Sequence, residues 1–353
     1  MALLLPFAVI AVSSCVKDRS GVPTIAASDN PVITGFATDS ASNGDVIIVK
    51  GSGLGDIVSI VFDKNGAVAS LNPNLNTDAA LVFRVPDTAA GGPQKVVVTN
   101  SKGKSASADF KVIALATVAS ADNYSFRAND NVTLTGLFLD DVSKVVFTGT
   151  TTDVQIVSKT KTSLVLKFPA TTLPTVKLTI TNASGTVNTT QEYVNADEAY
   201  VFFREGYENG EGDASWGDAA AISTATFASG NKSLGKKFAK GNWHNLGFGW
   251  NWIAKGPYQN ISFWIKGGLI DHDVWIFANS DGGGGHDQAQ PDNNKILVRA
   301  GVWQYFKIPL SKLNLWADGT AANGFTINKL GWFLKGPDNA DETLYLDDVM
   351  FIK

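Results

Sequence analysis

Between about residues 30 and 195, apolar and polar positions alternate in short runs that break at Gly, Asn, Pro and Asp. Period-two alternation with that punctuation predicts short strands joined by tight turns. The pattern also repeats. GDVIIVKGSGLGDIVSIVF (44–62) lies against NDNVTLTGLFLDDVSKVVF (129–147), setting Asp45 on Asp130, Gly51 on Gly136, Leu54 on Leu139 and Phe62 on Phe147. LVFRVP (81–86) matches LVLKFP (164–169), and VVVTNSKG (96–103) matches LTITNASG (178–185). Two such copies predict two β-sandwiches of immunoglobulin type, at 30–114 and 115–196.

From residue 197 to 353 the flavour changes, although the runs stay short. The clearest predicted strands are ISFWIKG (261–267), DVWIFANS (273–280), WQYFKIPLSKL (303–313), LGWFLKG (330–336) and LYLDDVMFIK (344–353). One short helix is expected near Ala219–Ala221. Alternation sends Ile261, Phe263 and Ile265 to the core, with Ser262, Trp264 and Lys266 opposite. It separates Val274 and Ile276 from Trp275, Phe277 and Asn279. It groups Val302, Phe306 and Ile308 as core, against Trp303 and Tyr305. Tyr345, Asp347, Val349 and Phe351 are expected on one face. In GNWHNLGFGWNWIAKG (241–256), continuous extension would group His244, Leu246, Phe248, Trp250 and Trp252 on one face. Trp243, Asn245 and Asn251 would take the other. Gly247 and Gly249 predict a bulge or bend that breaks this parity and leaves at least one indole beside an exposed Asn.

Composition narrows the chemistry. All nine tryptophans and all three histidines lie between Trp216 and Trp332, so one domain carries the distinctive side chains. A net charge of −4 offers no basic field for nucleic acid. The single cysteine, Cys15, follows the apolar stretch Ala2–Val12 and Ser13–Ser14, a segment of signal-peptide length. The glycine-rich NSDGGGGHDQAQPDNNK (279–295) lacks the strand-to-helix setting of a phosphate cradle. No histidine has the neighbours of a zinc site.

VSSC at 12–15 resembles a bacterial lipobox, which implies acylation of Cys15, cleavage after residue 14 and an anchor linker at 15–29. The pattern VxGxGL…VxxVxF…VP…VxVTNxxG resembles IPT/TIG domains; the second copy replaces Gly53 by Phe138. The order WQxFxIPLS, LGxxLxG, YLDDVxF resembles jelly-roll carbohydrate-binding modules. Together these features resemble the surface glycan-binding lipoproteins of glycan-foraging bacteria. The resemblance implies an all-β chain: two immunoglobulin-like (IPT/TIG-type) β-sandwiches followed by a jelly-roll carbohydrate-binding-module-like β-sandwich. It implies a non-catalytic protein on the outer membrane that captures polysaccharide, β-glucan or xyloglucan-like by preference. A glycan-uptake complex and surface glycosidases would be its partners.

An indole plane covers the C–H face of a sugar, worth on the order of 1–2 kcal/mol by buried area. Several sugars must therefore be held together to reach micromolar affinity, roughly −8 kcal/mol. Trp216, in the polar segment ENGEGDASWGDA, and Trp250 are the leading platform candidates, matching a paired arrangement that the resemblance implies. Trp243, Trp252 and Trp275 stand between platform and core, with Asn251 and His286 as polar contacts. Trp264, Trp303 and Trp332 read as structural. Asp347 and Asp348 are candidates for a structural calcium. Two alternatives stay open. A glycoside hydrolase would need two carboxylates from the cluster Glu205, Glu208, Glu211, Asp213 and Asp218. A protein-binding adhesin would leave the tryptophans unexplained.

Overall fold

The computed structural model describes residues 25–280, 292–313, 315–316 and 326–353. Cys15, the signal segment and His286 lie outside the described residues. Among those described, no helix is long and apolar enough to cross a membrane. The chain forms two compact units, ending and beginning at Leu115 and Ala116.

The first unit is a β-sandwich. One sheet orders Val32–Phe36, Val46–Ser52, Ala80–Arg84 and Leu71–Asn76; the other orders Ser40–Ser42, Ser105–Ile113, Gly92–Asn100, Ile57–Phe62 and Ala67–Val68. Inward residues of both, among them Val49, Leu81, Ile60, Phe62 and Val98, form one buried core. The second unit begins with the repeat of this fold, whose core holds Leu134, Leu139, Phe147, Leu164 and Ile180.

The repeat extends to backbone detail. Ile33 faces Gly51 and a bulge follows; Val118 faces Gly136 and a bulge follows. A Cβ on Gly51 would lie 2.0 Å from the Val32 carbonyl oxygen, and one on Gly136 would lie 1.7 Å from that of Thr117. The shared glycine is therefore a close crossing of two strands that no side chain fits. Asp45 accepts the amide of Ser42, and Asp130 that of Arg127, three residues back in both copies. Gly53 has φ +66°, and Phe138 occupies the equivalent left-handed backbone at φ +55° without being glycine.

The rest of the second unit is a larger sandwich. One sheet orders Ala221–Ser223, Ser233–Phe238, Glu342–Ile352, Asn260–Lys266 and Trp303–Pro309, with Ala199–Phe203 also paired to Glu342–Ile352. Ile261, Phe263 and Ile265 point into the core as expected, and Trp264 does not. Three expectations fail. No helix occupies 219–221, where Ala221–Ser223 is an edge strand; among the described residues the α-helix is Leu310–Leu313, which ends the Trp303 strand. Val302 is half exposed because that strand starts only at Trp303. Val349 and Phe351 do not share a face with Tyr345 and Asp347: they join Leu344 and Leu346 in the core. Asp348 takes φ +47°, and this kink shifts the strand's parity by one.

The two sandwiches of the second unit are joined by more than a linker. Val194, Ala196, Val201, Met350 and Ile352 form a buried cluster between them. Arg204 donates from Nε to Ser125 Oγ at 2.8 Å and pairs with Asp130 at 3.1 Å, while Ser125 Oγ donates to Asp348 Oδ1 at 2.8 Å. Tyr124 packs on Trp264 with centroids 5.1 Å apart.

Candidate functional site

The second sheet of the larger sandwich orders Gly212–Asp213, Trp243–Ala254, Thr326–Lys335, His272–Ser280 and Lys295–Val298. Its inward face supplies Leu246, Phe248, Leu330, Trp332, Leu334, Val274 and Ile276 to the core. Alternation puts the intervening residues on the outward face, and the strand register sorts them into rows. Asn245, Phe333, Trp275 and Lys295 make one row; Gly247, Gly331 and Phe277 make the next; Gly249 and Lys329 the one after.

The row of glycines is a clearance. A Cβ on Gly331 would lie 2.4 Å from the Phe277 ring, and one on Gly247 would lie 3.0 Å from Lys329 Cε. Without those side chains there is room for Phe277 and Lys329, which are both buried. Trp243 stacks on Phe333, with centroids 4.8 Å apart and planes at 20°, and sits 6.0 Å from Trp275. Both indoles are half-buried.

A bulge ends this regular part. Gly249 faces Lys329 but Ile253 faces Ile327. Core positions run Leu246, Phe248 and then Ile253 on one strand, and Leu330 and then Ile327 on its neighbour. Parity changes on both. Trp250 and Trp252, which unbroken alternation would bury, are instead 62 % and 52 % exposed. Trp316, itself in the core, secures the far side by donating from Nε1 to the Ile253 carbonyl at 3.1 Å. Lys329 Nζ stands 5.8 Å from the Trp250 ring centroid and 5.5 Å from that of Phe277.

Asn251 is turned away from Trp250 and Trp252. Its Nδ2 donates to the Asn209 carbonyl at 2.6 Å, which ties the bulge to the turn before Glu211. Trp216 is 49 % exposed and extends the Asn245 row. Its backbone amide donates to Asn245, at the carbonyl and at Oδ1, each 3.1 Å. Its ring stands edge-on to His244 at 6.3 Å, and burial lowers the His244 pKa. The structure thus places Trp243, Trp250, Trp252 and Trp275 on one outward face, with Trp216 at its edge beside His244 and away from Trp250 along the strand.

The other tryptophans have packing roles. Trp332 is in the core at 1 % exposure. Trp264 lies between Tyr124 and Tyr305, and Trp303 Nε1 donates to Thr226 Oγ1 at 3.1 Å. Phe333 and Lys329 were not singled out from the sequence. The signal was present in NKLGWFLK, where Leu330, Trp332 and Leu334 alternate with Lys329, Gly331 and Phe333.

The acidic side chains are engaged in the fold. Glu205 accepts the Asn231 amide at 2.9 Å, and Glu208 pairs with Arg127 at 2.5 Å. Asp213 accepts the amides of Ser215 and Ala220 at 3.0 and 3.1 Å, and Asp218 pairs with Lys237 at 3.3 Å. Glu211 accepts the Tyr200 hydroxyl at 2.6 Å, and burial raises its pKa. Asp347 accepts the amides of Ala228, Ser229 and Asp348 at 2.9 to 3.1 Å. Burial first, and the neighbouring Asp348 second, push Asp347 up to about 9; burial raises Asp348 as well. Among the described residues no group of three or more His, Cys, Asp or Glu could hold a metal.

Residues 31–112 match the IPT/TIG domain family. A search of curated proteins found no match. Among solved structures, the chain is similar to a surface glycan-binding protein of Prevotella bryantii, at 20 % identity and a TM-score of 0.49, covering 93 % of this chain and all of that one. A second is SGBP-B from a xyloglucan utilization locus of Bacteroides uniformis, at 18 % identity and a TM-score of 0.41, covering 92 % and 99 %. A third is SGBP-B of a mixed-linkage glucan utilization locus of Bacteroides ovatus, in complex with a heptasaccharide, at 14 % identity and a TM-score of 0.32, covering 91 % and 75 %.

Proposed function

We propose that this chain is a non-catalytic, cell-surface polysaccharide-binding protein. Its ligand lies on the outward face of the sheet that carries Trp243, Trp250, Trp252 and Trp275, with Trp216 at the rim. The observation that carries this reading is the bulge at Gly249–Ile253, which turns two indoles out of the core beside a face already floored by aromatic rings. Soluble domains rarely display such a surface without a partner for it. The strand from Trp243 to Gly249 spans about 20 Å at roughly 3.3 Å per residue, a length that several sugar rings in series would occupy. Flat rings of low side-chain entropy suit C–H faces. Sugar hydroxyls would meet the polar groups interleaved with the rings.

Non-catalytic capture fits the carboxylates better than hydrolysis does. Glycoside hydrolysis needs two carboxyl groups free to act across one bond, whereas Glu205, Glu208, Glu211, Asp213 and Asp218 are each engaged by a neighbour. On this reading Cys15 carries a lipid that holds the protein on the outer membrane. Partner proteins, a glycan-uptake complex and surface glycosidases, receive the captured chain. A β-glucan or xyloglucan-like polymer is the favoured ligand.

Native affinity gels cast with β-glucan, xyloglucan, xylan, mannan or chitin derivatives test the reading, beside an assay for released reducing sugar. Retardation in at least one β-glucan or xyloglucan gel, with no sugar release, is the expected result. Free migration in every gel would overturn binding, and steady release of reducing ends would overturn the non-catalytic reading.

A further inference from the structure

Trp250 and Trp252 differ from the other candidate platform rings. Trp243 is held by Phe333 and Trp275, and Trp216 by His244. Among the described residues, no aromatic ring packs on Trp250 or Trp252, which sit on one bulge at 62 % and 52 % exposure. A ring so placed would sample several rotamers, and a ligand would bear the entropy of fixing it. What sets Trp250 apart is the Lys329 ammonium over its ring, 5.8 Å from the centroid.

Lys329 is well suited to fix that ring. Its stem is already immobilised: it is 7 % exposed and runs over Gly247, where a Cβ would lie 3.0 Å from Cε. Its ammonium also stands 5.5 Å from the Phe277 centroid, so it is set between two rings. The indole quadrupole draws a cation to the ring face rather than the edge. A cation on one face fixes the ring plane and leaves the opposite face open.

On the reading that this face binds glycan, we infer that Lys329 is the positioning residue for Trp250: its ammonium occupies one face of the indole and presents the other face to a sugar. Gly247 leaves room for the same arrangement: a Cβ there would press on the Ala214 carbonyl oxygen at 2.9 Å and on the lysine stem at 3.0 Å. Lys329 acts through Trp250 and is given no contact of its own with the sugar.

The test is a double-mutant cycle with Lys329→Met, Lys329→Arg, Trp250→Ala and the double variant Lys329→Met/Trp250→Ala. Affinity is measured by calorimetry on the polysaccharide that the gels select. Lys329→Met keeps the stem and removes the charge; it should weaken binding roughly two- to thirty-fold. Lys329→Arg should restore most of the loss, and Lys329→Met should add nothing once Trp250 is gone. A second readout does not depend on ligand. The near-UV circular dichroism that Trp250 contributes, taken as wild type minus Trp250→Phe, should collapse in Lys329→Met and return in Lys329→Arg. Additive losses in the cycle, or an unchanged Trp250 signal, would overturn the inference. If the wild-type protein binds no polysaccharide, the functional reading fails, and the spectroscopic signature still decides whether Lys329 holds Trp250.

Discussion

Trp250→Ala and Trp332→Ala remove the same side chain from two sides of one sheet, and their costs should fall on different measurements. With about 250 Å² for a whole indole, the 62 % of Trp250 that is exposed amounts to about 155 Å². A sugar ring on one side covers roughly half of that, near 75 Å². At about 25 cal/mol per Å² this is ~2 kcal/mol, or roughly thirty-fold in Kd. The shielded remainder, near 95 Å², limits the stability loss to about 2.4 kcal/mol as an upper bound. Trp332 is 1 % exposed and packs edge-on against Phe248 and Phe263. Its truncation leaves a cavity and should cost about 3–5 kcal/mol of stability. Urea unfolding of residues 116–353 measures the second quantity, and calorimetric titration with the selected polysaccharide measures the first. Trp250→Ala should lose affinity and remain folded; Trp332→Ala should lose stability, with whatever still folds binding normally. A platform role for Trp250 is refuted if Trp250→Ala binds as the wild type does, or if its affinity loss comes with a stability loss as large as that of Trp332→Ala.

Cutting the second unit at 196/197 bares Val201, Met350 and Ile352 and strands Arg204 and Asp348 without Ser125. At about 1.5–3 kcal/mol per apolar side chain, fragment 197–353 should melt well below fragment 116–353 while the longer fragment keeps the binding; equal melting temperatures would contradict this. Asp347 and Asp348 have folded pKa values above the unfolded value near 3.9, Asp347 at about 9. Such groups stabilise the fold at low pH and lose that contribution as pH rises through the folded value. Stability of 116–353 should therefore fall between about pH 4 and pH 9, and Asp348→Asn should flatten the slope; an equally steep slope in the variant would exclude the pair as its source. Cys15→Ala should release the protein from membranes, because one acyl-bearing cysteine is the anchor proposed; recovery of that variant with the outer membrane after a salt wash would remove the lipid from the account.

Alternation within a single run was enough to orient Ile261, Phe263 and Ile265 inward and to set Trp275 and Phe277 apart from Val274 and Ile276. The internal repeat carried even the close crossing at Gly51 and Gly136, because a glycine that admits another backbone must recur wherever that crossing recurs. The concentration of tryptophan after residue 197 marked the domain that bears the candidate site. Two bulges were beyond that logic. At Asp347–Asp348 and at Gly249–Ile253 the strands change parity, and period-two reasoning cannot carry across an inserted residue. The glycines announced that parity would break near Trp250, but not in which direction the indoles would turn. That direction follows from the neighbouring strand, where Ile327 takes the core position opposite Ile253, and from Trp316, which holds the Ile253 carbonyl from 63 residues away. Within an unbroken run the sequence alone determined which residues share a face; only the packing of distant strands decided where alternation breaks and which runs join on one face, because a register is set between strands rather than within one.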